Sequence, residues 1–406
     1  MPRTHLTTRP GASRVGTGRQ ERRARPGASL APHPKGITVI SKKTLALCAT
    51  VGIVLSGFAV ASPAMADPVS NSYSIAGSDT LEDVVSALAN GTNVTGSVVR
   101  STVNSATIGS FDATGSAYIT AKPNGPRFGR PNGSGDGVKA LSRSIDGAVY
   151  TSGAAGSPKD IVITGQVDIA RSSSAGTRND AGDLLYVPFG RDAIAYAYQG
   201  AATGIDSLTA SQMKSLYECS PGFQIGGVTV TPNIPQAGSG TRKDFLAKIG
   251  STETLMKTVL EGGCVVEGQE HDATTLTAES VMPMAASRWV AMNTGASYDK
   301  RGTGTLGSLV AGVAPVTGVG TSMVPNAAYY ADTIWGRDTY LVVENAKMDS
   351  TNVKYDANLF KLLDPTQGTA LTNSQTLVSK AGAVKKKFGF LPPTTGVVSY
   401  RVAKTP

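Results

Sequence analysis

The sequence has little of what catalytic or metal centres are built from. Its 406 residues include 3 cysteines and 3 histidines. Beyond residue 66 only His271, Cys219 and Cys264 remain. No Gly-x-Ser-x-Gly elbow occurs, and no His/Asp/Glu cluster has the spacing of metal ligands. His271 stands in the polar run Gly268-Gln269-Glu270-His271-Asp272, which reads as a solvated loop rather than a general base. An enzyme is therefore not expected, and neither a metal nor a cofactor. An excess of charge is also missing where the chain folds. The formal charge of +9 resides in residues 1–66, with ten basic side chains and one acid, and residues 67–406 are balanced. A nucleic-acid partner is not expected for a neutral domain.

Long apolar runs are nearly absent as well. The exception extends from about Leu45 to Val60, is broken by Gly52, Ser56 and Gly57, and follows Lys42-Lys43. Pro63 and Ala64-Met65-Ala66 then give a signal-peptide cleavage pattern, with Asp67 first in the mature chain. Cys48 lies within the run behind Leu47, so a lipid anchor is not expected, and Arg22-Arg23 is too far upstream to be a strong twin-arginine signal. Residues 1–36 read as a disordered extension or an upstream start, and 37–66 as a signal peptide. The chain is expected to be secreted, extracellular or periplasmic, with no permanent membrane span after cleavage. An even cysteine count in an exported chain suggests a Cys219–Cys264 disulfide, two free thiols being the alternative.

Strand and helix signals alternate through the remainder. Tyr73-Ser74-Ile75 reads as a strand, followed by a helix with Leu81, Val84, Val85 and Leu88 on one face and Asp79/Glu82 as its capping box. Residues 100–137 read as loop and short strand, a helix starts near Val138, and a polar insertion follows at 144–160. Further strands are expected at Ile161–Ile163, Leu185–Phe189, Ala193–Tyr198, Val228–Val230 and Tyr340–Val343. Helices are expected at Leu208–Tyr217, after Gly238, and around Ser287–Val290. The C-terminal segment to about Phe388 reads as mostly helical. This order predicts an α/β chain with largely parallel sheets and no internal repeat.

Three Gly/Ser/Thr turns precede helices: Gly77-Ser78-Asp79-Thr80, Gly133-Ser134-Gly135-Asp136-Gly137, and Gly238-Ser239-Gly240-Thr241-Arg242. First-turn N–H groups lack helical acceptors, the helix dipole is positive there, and glycine admits close approach. Each turn alone fits an ordinary helix cap; three together point to an anion. Arg171, flanked by Ser172 and Ser173 after Asp168-Ile169-Ala170, is either an oxyanion clamp or a surface ion-pair residue.

The order of these four motifs resembles the phosphate-binding subunit of high-affinity phosphate ABC importers, over most of the mature chain. The resemblance implies an α/β, two-lobed type II periplasmic-binding-protein fold whose lobes are joined by crossover strands. Lobe one would hold 67–197 and 344–406, and lobe two 198–343. It implies a monomer that binds phosphate, or a related oxyanion, and works with an ABC permease. Ser134, Ser239, Gly240 and Thr241 map onto ligand positions, as do Asp79 and Thr80 with altered residue types. Ser78, Gly135, Arg171, Ser172, Ser173 and Arg242 complete the expected site. Two departures stand out: Ser173 replaces the family's aspartate, and Pro235 its arginine. Arg171 and Arg242 are the candidate replacement cations, and Asp79 the candidate proton acceptor. The alternative is a secreted relative acting as scavenger, surface or adhesion protein without a permease.

Overall fold

The structure, a computed structural model, describes residues 67–68, 72–153 and 156–406. The expected extension and signal peptide lie outside the described residues. Ten strands form the main sheet: β1 (Tyr73–Gly77), β2 (Ile108–Ser110), β3 (Ile169–Ser172), β4 (Leu184–Gln199), β5 (Thr231–Pro235), β6 (Val266–Gly268), β7 (Ser280–Ala285), β8 (Thr305–Gly307), β9 (Gly336–Glu344) and β10 (Tyr400–Val402). Their order is β6-β5-β7-β4-β9-β3-β1-β2, with β8 and β10 also paired to β4. The helices are α1 (Glu82–Asn90), α2 (Ser134–Asp146), α3 (Ala210–Tyr217), α4 (Gly240–Ile249), α5 (Glu253–Glu261), α6 (Ala286–Asn293), α7 (Ala327–Tyr330), α8 (Ala357–Leu363) and α9 (Ala381–Lys387).

The sheet is not largely parallel as expected, because the two long crossover strands pair antiparallel: it has two parallel ends and an antiparallel middle. β1 is parallel to both β2 and β3, and β5 is parallel to both β6 and β7. β4 and β9 run antiparallel through the centre, Leu184 facing Glu344 and Ala193 facing Gly336. Every residue of β1 is buried, as expected of a parallel strand covered on both faces. Beyond Ala193, β4 pairs instead with β7 and β8. One strand thus serves both halves.

The apolar cores follow the same division. Tyr196, Met213, Tyr217, Phe245 and Trp335 pack in one half. In the other, Val85, Leu88, Phe189 and Phe390 cluster on one side, and Phe111, Phe128, Leu141 and Tyr150 on the other. The result is the expected two-lobed α/β architecture with crossover strands. The boundary between 197 and 198 falls inside β4.

Cys219 and Cys264 form the expected disulfide across 45 residues of sequence. It ties the end of α3 to the segment after α5, and restricting a loop of that length contributes roughly 4 kcal/mol in the chain-entropy account.

Several local expectations change. Leu185–Phe189 and Ala193–Tyr198 are not two strands but one, with a register shift between Pro188 and Gly190; Pro188 lacks the donor a regular ladder needs. The strand expected at Val228–Val230 forms instead at Thr231–Pro235. α2 starts at Ser134, not near Val138. The Asp79/Glu82 capping box is absent: Asp79 opens a short 3-10 turn, and Glu82 accepts from the Ala113 N–H at 2.8 Å. The C-terminal segment holds only two short helices, α8 and α9. Thr209 does cap α3, with Gln212 completing a capping box.

Candidate anion-binding cleft

The three Gly/Ser/Thr turns are brought together where the two halves of the sheet face each other. β1 delivers Ser78–Thr80 from one half. The turn before α2 adds Ser134 from the same half, and the turn before α4 delivers Ser239–Thr241 from the other. The Gly135 N–H donates to the Gly238 carbonyl at 3.1 Å, and Gln236 Nε2 donates to Asn132 Oδ1 at 3.1 Å. Thr80 and Thr241 hydroxyls stand 3.5 Å apart. Ser134 Oγ lies 3.2 Å from Ser173 Oγ and accepts from the Ser173 N–H.

Glycine is required at this contact. A Cβ on Gly240 would lie 2.3 Å from Ser173 Oγ and 2.4 Å from Ser134 Oγ. Gly133 has φ +113°, and a Cβ there would lie 2.5 Å from the Gly238 carbonyl oxygen. Near this contact the surface holds a pocket of about 390 Å³ lined by Thr114, Ser116, Arg130, Asn132, Gln236 and Gln269. Another of about 530 Å³ is lined by Ser134, Ser172, Ser239, Gly240 and Lys243 among others.

The cation at the junction is Arg337, at the start of β9, which motif reading passed over. It donates through Nη2 to Asp192 Oδ2 at 2.9 Å, Thr241 Oγ1 at 2.9 Å and Thr80 Oγ1 at 3.4 Å. It therefore touches hydroxyls from both halves while anchored on a crossover strand. A signal was present in the sequence: Gly-Arg-Asp occurs at 190–192 and again at 336–338, interrupting two apolar strands. Antiparallel pairing sets Arg191 against Asp338 and Asp192 against Arg337. Asp192 is fully buried. Arg337→Met would leave its carboxylate without a counter-charge, and urea denaturation should show a loss of about 3–5 kcal/mol. The double variant with Asp192→Asn should recover part of it.

Acidic groups crowd the same junction. Asp79 is buried, and its Oδ1 lies 3.8 Å from both Arg288 Nε and His271 Nε2. Burial raises the Asp79 carboxyl to about 7, against the pull of Arg288 and with help from Glu270 and Asp83. Glu82 is raised well above its usual value by burial and by Asp79. Arg288, on α6, contacts Asp83 and lies 3.9 Å from Glu82.

His271 corrects the expectation of a solvated loop: it is fully buried. The loop turns through left-handed backbone at His271, φ +60°, which carries the ring inward. Its Nδ1 accepts from the Ala285 N–H at 3.4 Å, which leaves the Nε2 proton to Glu270 Oε1 at 3.2 Å and the Thr80 hydroxyl at 3.1 Å. Burial lowers its pKa against the pull of Glu270, keeping the ring neutral.

Three expected ligand residues are occupied elsewhere. Arg171 is fully buried and donates to the carbonyls of Gly77, Ser78 and Phe111 and to Ser110 Oγ. It braces the first turn from behind. Arg242 is bound by Glu253, Glu267 and the Pro235 carbonyl. The Ser172 hydroxyl donates to the Ser174 carbonyl. Ser239 Oγ accepts from the Arg242 N–H and so caps α4. Ser78 Oγ is buried without a hydrogen-bond partner among the described residues. Among those residues, no group of three or more His, Cys, Asp or Glu side chains suits a metal ion, and no helix is long and apolar enough to cross a membrane.

No protein-family model and no curated protein matches the chain. Among solved structures, it is similar to an ABC-type phosphate transport receptor from Vibrio cholerae, at 14% identity and TM-score 0.44, over 80% of this chain and 100% of that one. It is also similar to a phosphate-binding protein from Stenotrophomonas maltophilia, at 12% identity and TM-score 0.42, over 80% of this chain and 91% of that one.

Proposed function

We propose that the mature chain is an exported solute-binding protein that holds inorganic phosphate, or a tetrahedral oxyanion of that size, between its two lobes and presents it to a membrane importer. The observation carrying this reading is the meeting of the α2 and α4 N-terminal turns over Gly240. Ser134, Ser173, Thr80 and Thr241 hydroxyls lie around that meeting point, and Arg337 spans the two lobes. First-turn N–H groups of α4 have no acceptor in their own helix, and hydroxyls add donors that follow an oxyanion's geometry.

In this reading lobe one comprises 67–197 and 344–406, and lobe two 198–343. Ser134, Ser239 and Thr241 supply hydroxyls, Gly240 and Thr80 supply N–H groups, and Arg337 supplies the charge first sought in Arg171 and Arg242. Asp79 stands beside the ligand, with Ser78, Gly135 and Ser173 forming the walls. The lobes close by a hinge in β4 and β9, driven by contacts the ligand makes to both.

The His271 arrangement supports binding rather than turnover. In a nucleophile–base–acid chain the nucleophile and the acid occupy opposite ring nitrogens. Here Thr80 and Glu270 share Nε2, and a backbone N–H takes Nδ1. The ring, with its proton on Nε2, does not draw one from Thr80.

Calorimetry of the mature chain against phosphate, arsenate and sulfate tests the reading. Saturable binding of one oxyanion per chain, without hydrolysis of phosphoesters, is the expected result. Absence of heat and of thermal stabilisation with every oxyanion would overturn it.

A further inference from the structure

The expected oxyanion donors already face an anion that belongs to the chain. Glu270, in the turn after β6, is buried with His271. Its Oε1 lies 3.4 Å from the Thr80 hydroxyl in one half and 3.2 Å from His271 Nε2. Its backbone N–H donates to Gln236 Oε1 at 2.7 Å, and the same Gln236 amide donates to Asn132 across the cleft. This chain of contacts sets the carboxylate at the lobe junction. Among the described residues its Oε2 has no well-formed hydrogen-bond partner. Burial raises the Glu270 carboxyl, but the His271 ring N–H and the nearby hydroxyls of Thr241 and Ser239 favour its ionised form and lower it. The residue is therefore an anion throughout the physiological range.

The occupancy has a physical consequence. Ser239 and Thr241, whose hydroxyls the binding reading assigns to a soluble oxyanion, and Thr80, whose N–H it assigns, stand around a fixed carboxylate instead. A second anion placed a few ångströms away is repelled, since like charges in a water-poor site interact far more strongly than in water.

We propose that Glu270 is a resident anion of the cleft, a built-in competitor that sets the affinity of the site by having to give way before a soluble oxyanion enters. The inference rests on the binding reading above. It gives the protein a closed form held by its own contacts: Glu270 to Thr80, Thr80 to Thr241, Gln236 to Asn132, and Arg337 to both threonines. Phosphate then exchanges one closed arrangement for another instead of closing an empty cleft. Glu270 acts here as a specificity-determining residue, penalising ligands of higher negative charge most.

The test compares inorganic phosphate binding by wild-type and Glu270→Gln protein in titration calorimetry, with far-UV dichroism and urea unfolding to establish that the variant is folded. The amide keeps the side chain's shape and removes its charge. Phosphate affinity should rise at least tenfold, and the gain should be larger at pH 8 than at pH 6, because the ligand carries more charge there. Asp79, which Glu270 helps raise to about 7, titrates in the same range, so the comparison is repeated in an Asp79→Asn background, where the larger gain at pH 8 should persist. Glu270→Asp, which draws the carboxylate back by one methylene, should give a smaller gain and substitutes for the first variant if that fails to fold. Wild-type binding with unchanged or weaker affinity in the folded variant overturns this inference and leaves the binding reading standing. Failure of both proteins to bind any oxyanion overturns both.

Discussion

Gly240→Ala is expected to weaken the proposed phosphate binding by roughly tenfold to a hundredfold, the equivalent of about 1–3 kcal/mol of overpacking. The added methyl would lie 2.3 Å from Ser173 Oγ and 2.4 Å from Ser134 Oγ, closer than any real contact. These atoms belong to the half opposite α4, so the clash falls on the closed arrangement and not on either lobe's own core. Urea stability of the separate cores should therefore change much less than affinity. The solution radius of gyration should rise as the cleft is propped open. Gly262→Ala is the control, because its Cβ would meet nothing nearer than 3.4 Å. Full affinity in Gly240→Ala would mean that the α2 and α4 turns need not meet for the ligand to bind.

The second large effect is on the pH dependence of stability through Asp79. Its folded carboxyl is raised from 3.8 to about 7 by burial, so between those values the folded state holds a proton that the unfolded chain has lost. Stability from this group falls as pH rises through that window. A three-unit difference corresponds to about 4 kcal/mol at 1.36 kcal/mol per unit. Glu82 is raised in the same sense. His271 works in the opposite direction: its pKa is lowered by burial, so its contribution improves as pH rises toward the unfolded imidazole value. Wild-type stability sums these opposing slopes, and the difference between wild type and Asp79→Asn isolates one of them. The variant should be more stable than wild type by several kcal/mol at pH 8 and nearly equal to it at pH 4. Urea midpoints across that range measure it, and a difference independent of pH would show that Asp79 is ionised in the folded protein.

How far the sequence carried the fold and the site follows from what each signal measures. The turns at Gly77–Thr80, Gly133–Gly137 and Gly238–Thr241 were legible because helix starts have local chemistry: a free N–H, a hydroxyl cap, a glycine. The disulfide was legible from the even cysteine count beyond residue 66 together with the expected export. β4 was read as two strands because Pro188 and Gly190 look like a break locally, and only pairing with β9 carries the strand across it. Arg171 was read as a clamp because an arginine among serines has the right chemistry, but its four donated hydrogen bonds go to β1, β2 and residues just beyond them, all remote in sequence. Arg337 was missed for the complementary reason. Its significance arises from cross-strand register, in which one Gly-Arg-Asp tripeptide opposes another. Glu270 and His271 read as polar loop because periodicity is blind to a turn folded inward at His271. Sequence locates the donors well and their counter-charges poorly, since counter-charges are assembled by tertiary pairing.

The most direct measurement is a crystal structure of residues 67–406 with arsenate, whose anomalous scattering marks the ion independently of the protein. The account predicts one ion within hydrogen-bond reach of Ser134, Gly240 and Thr241, with contacts to both halves of the chain. An ion bound only on the outer surface, or no ordered ion at saturating arsenate with those turns still in contact, would contradict it.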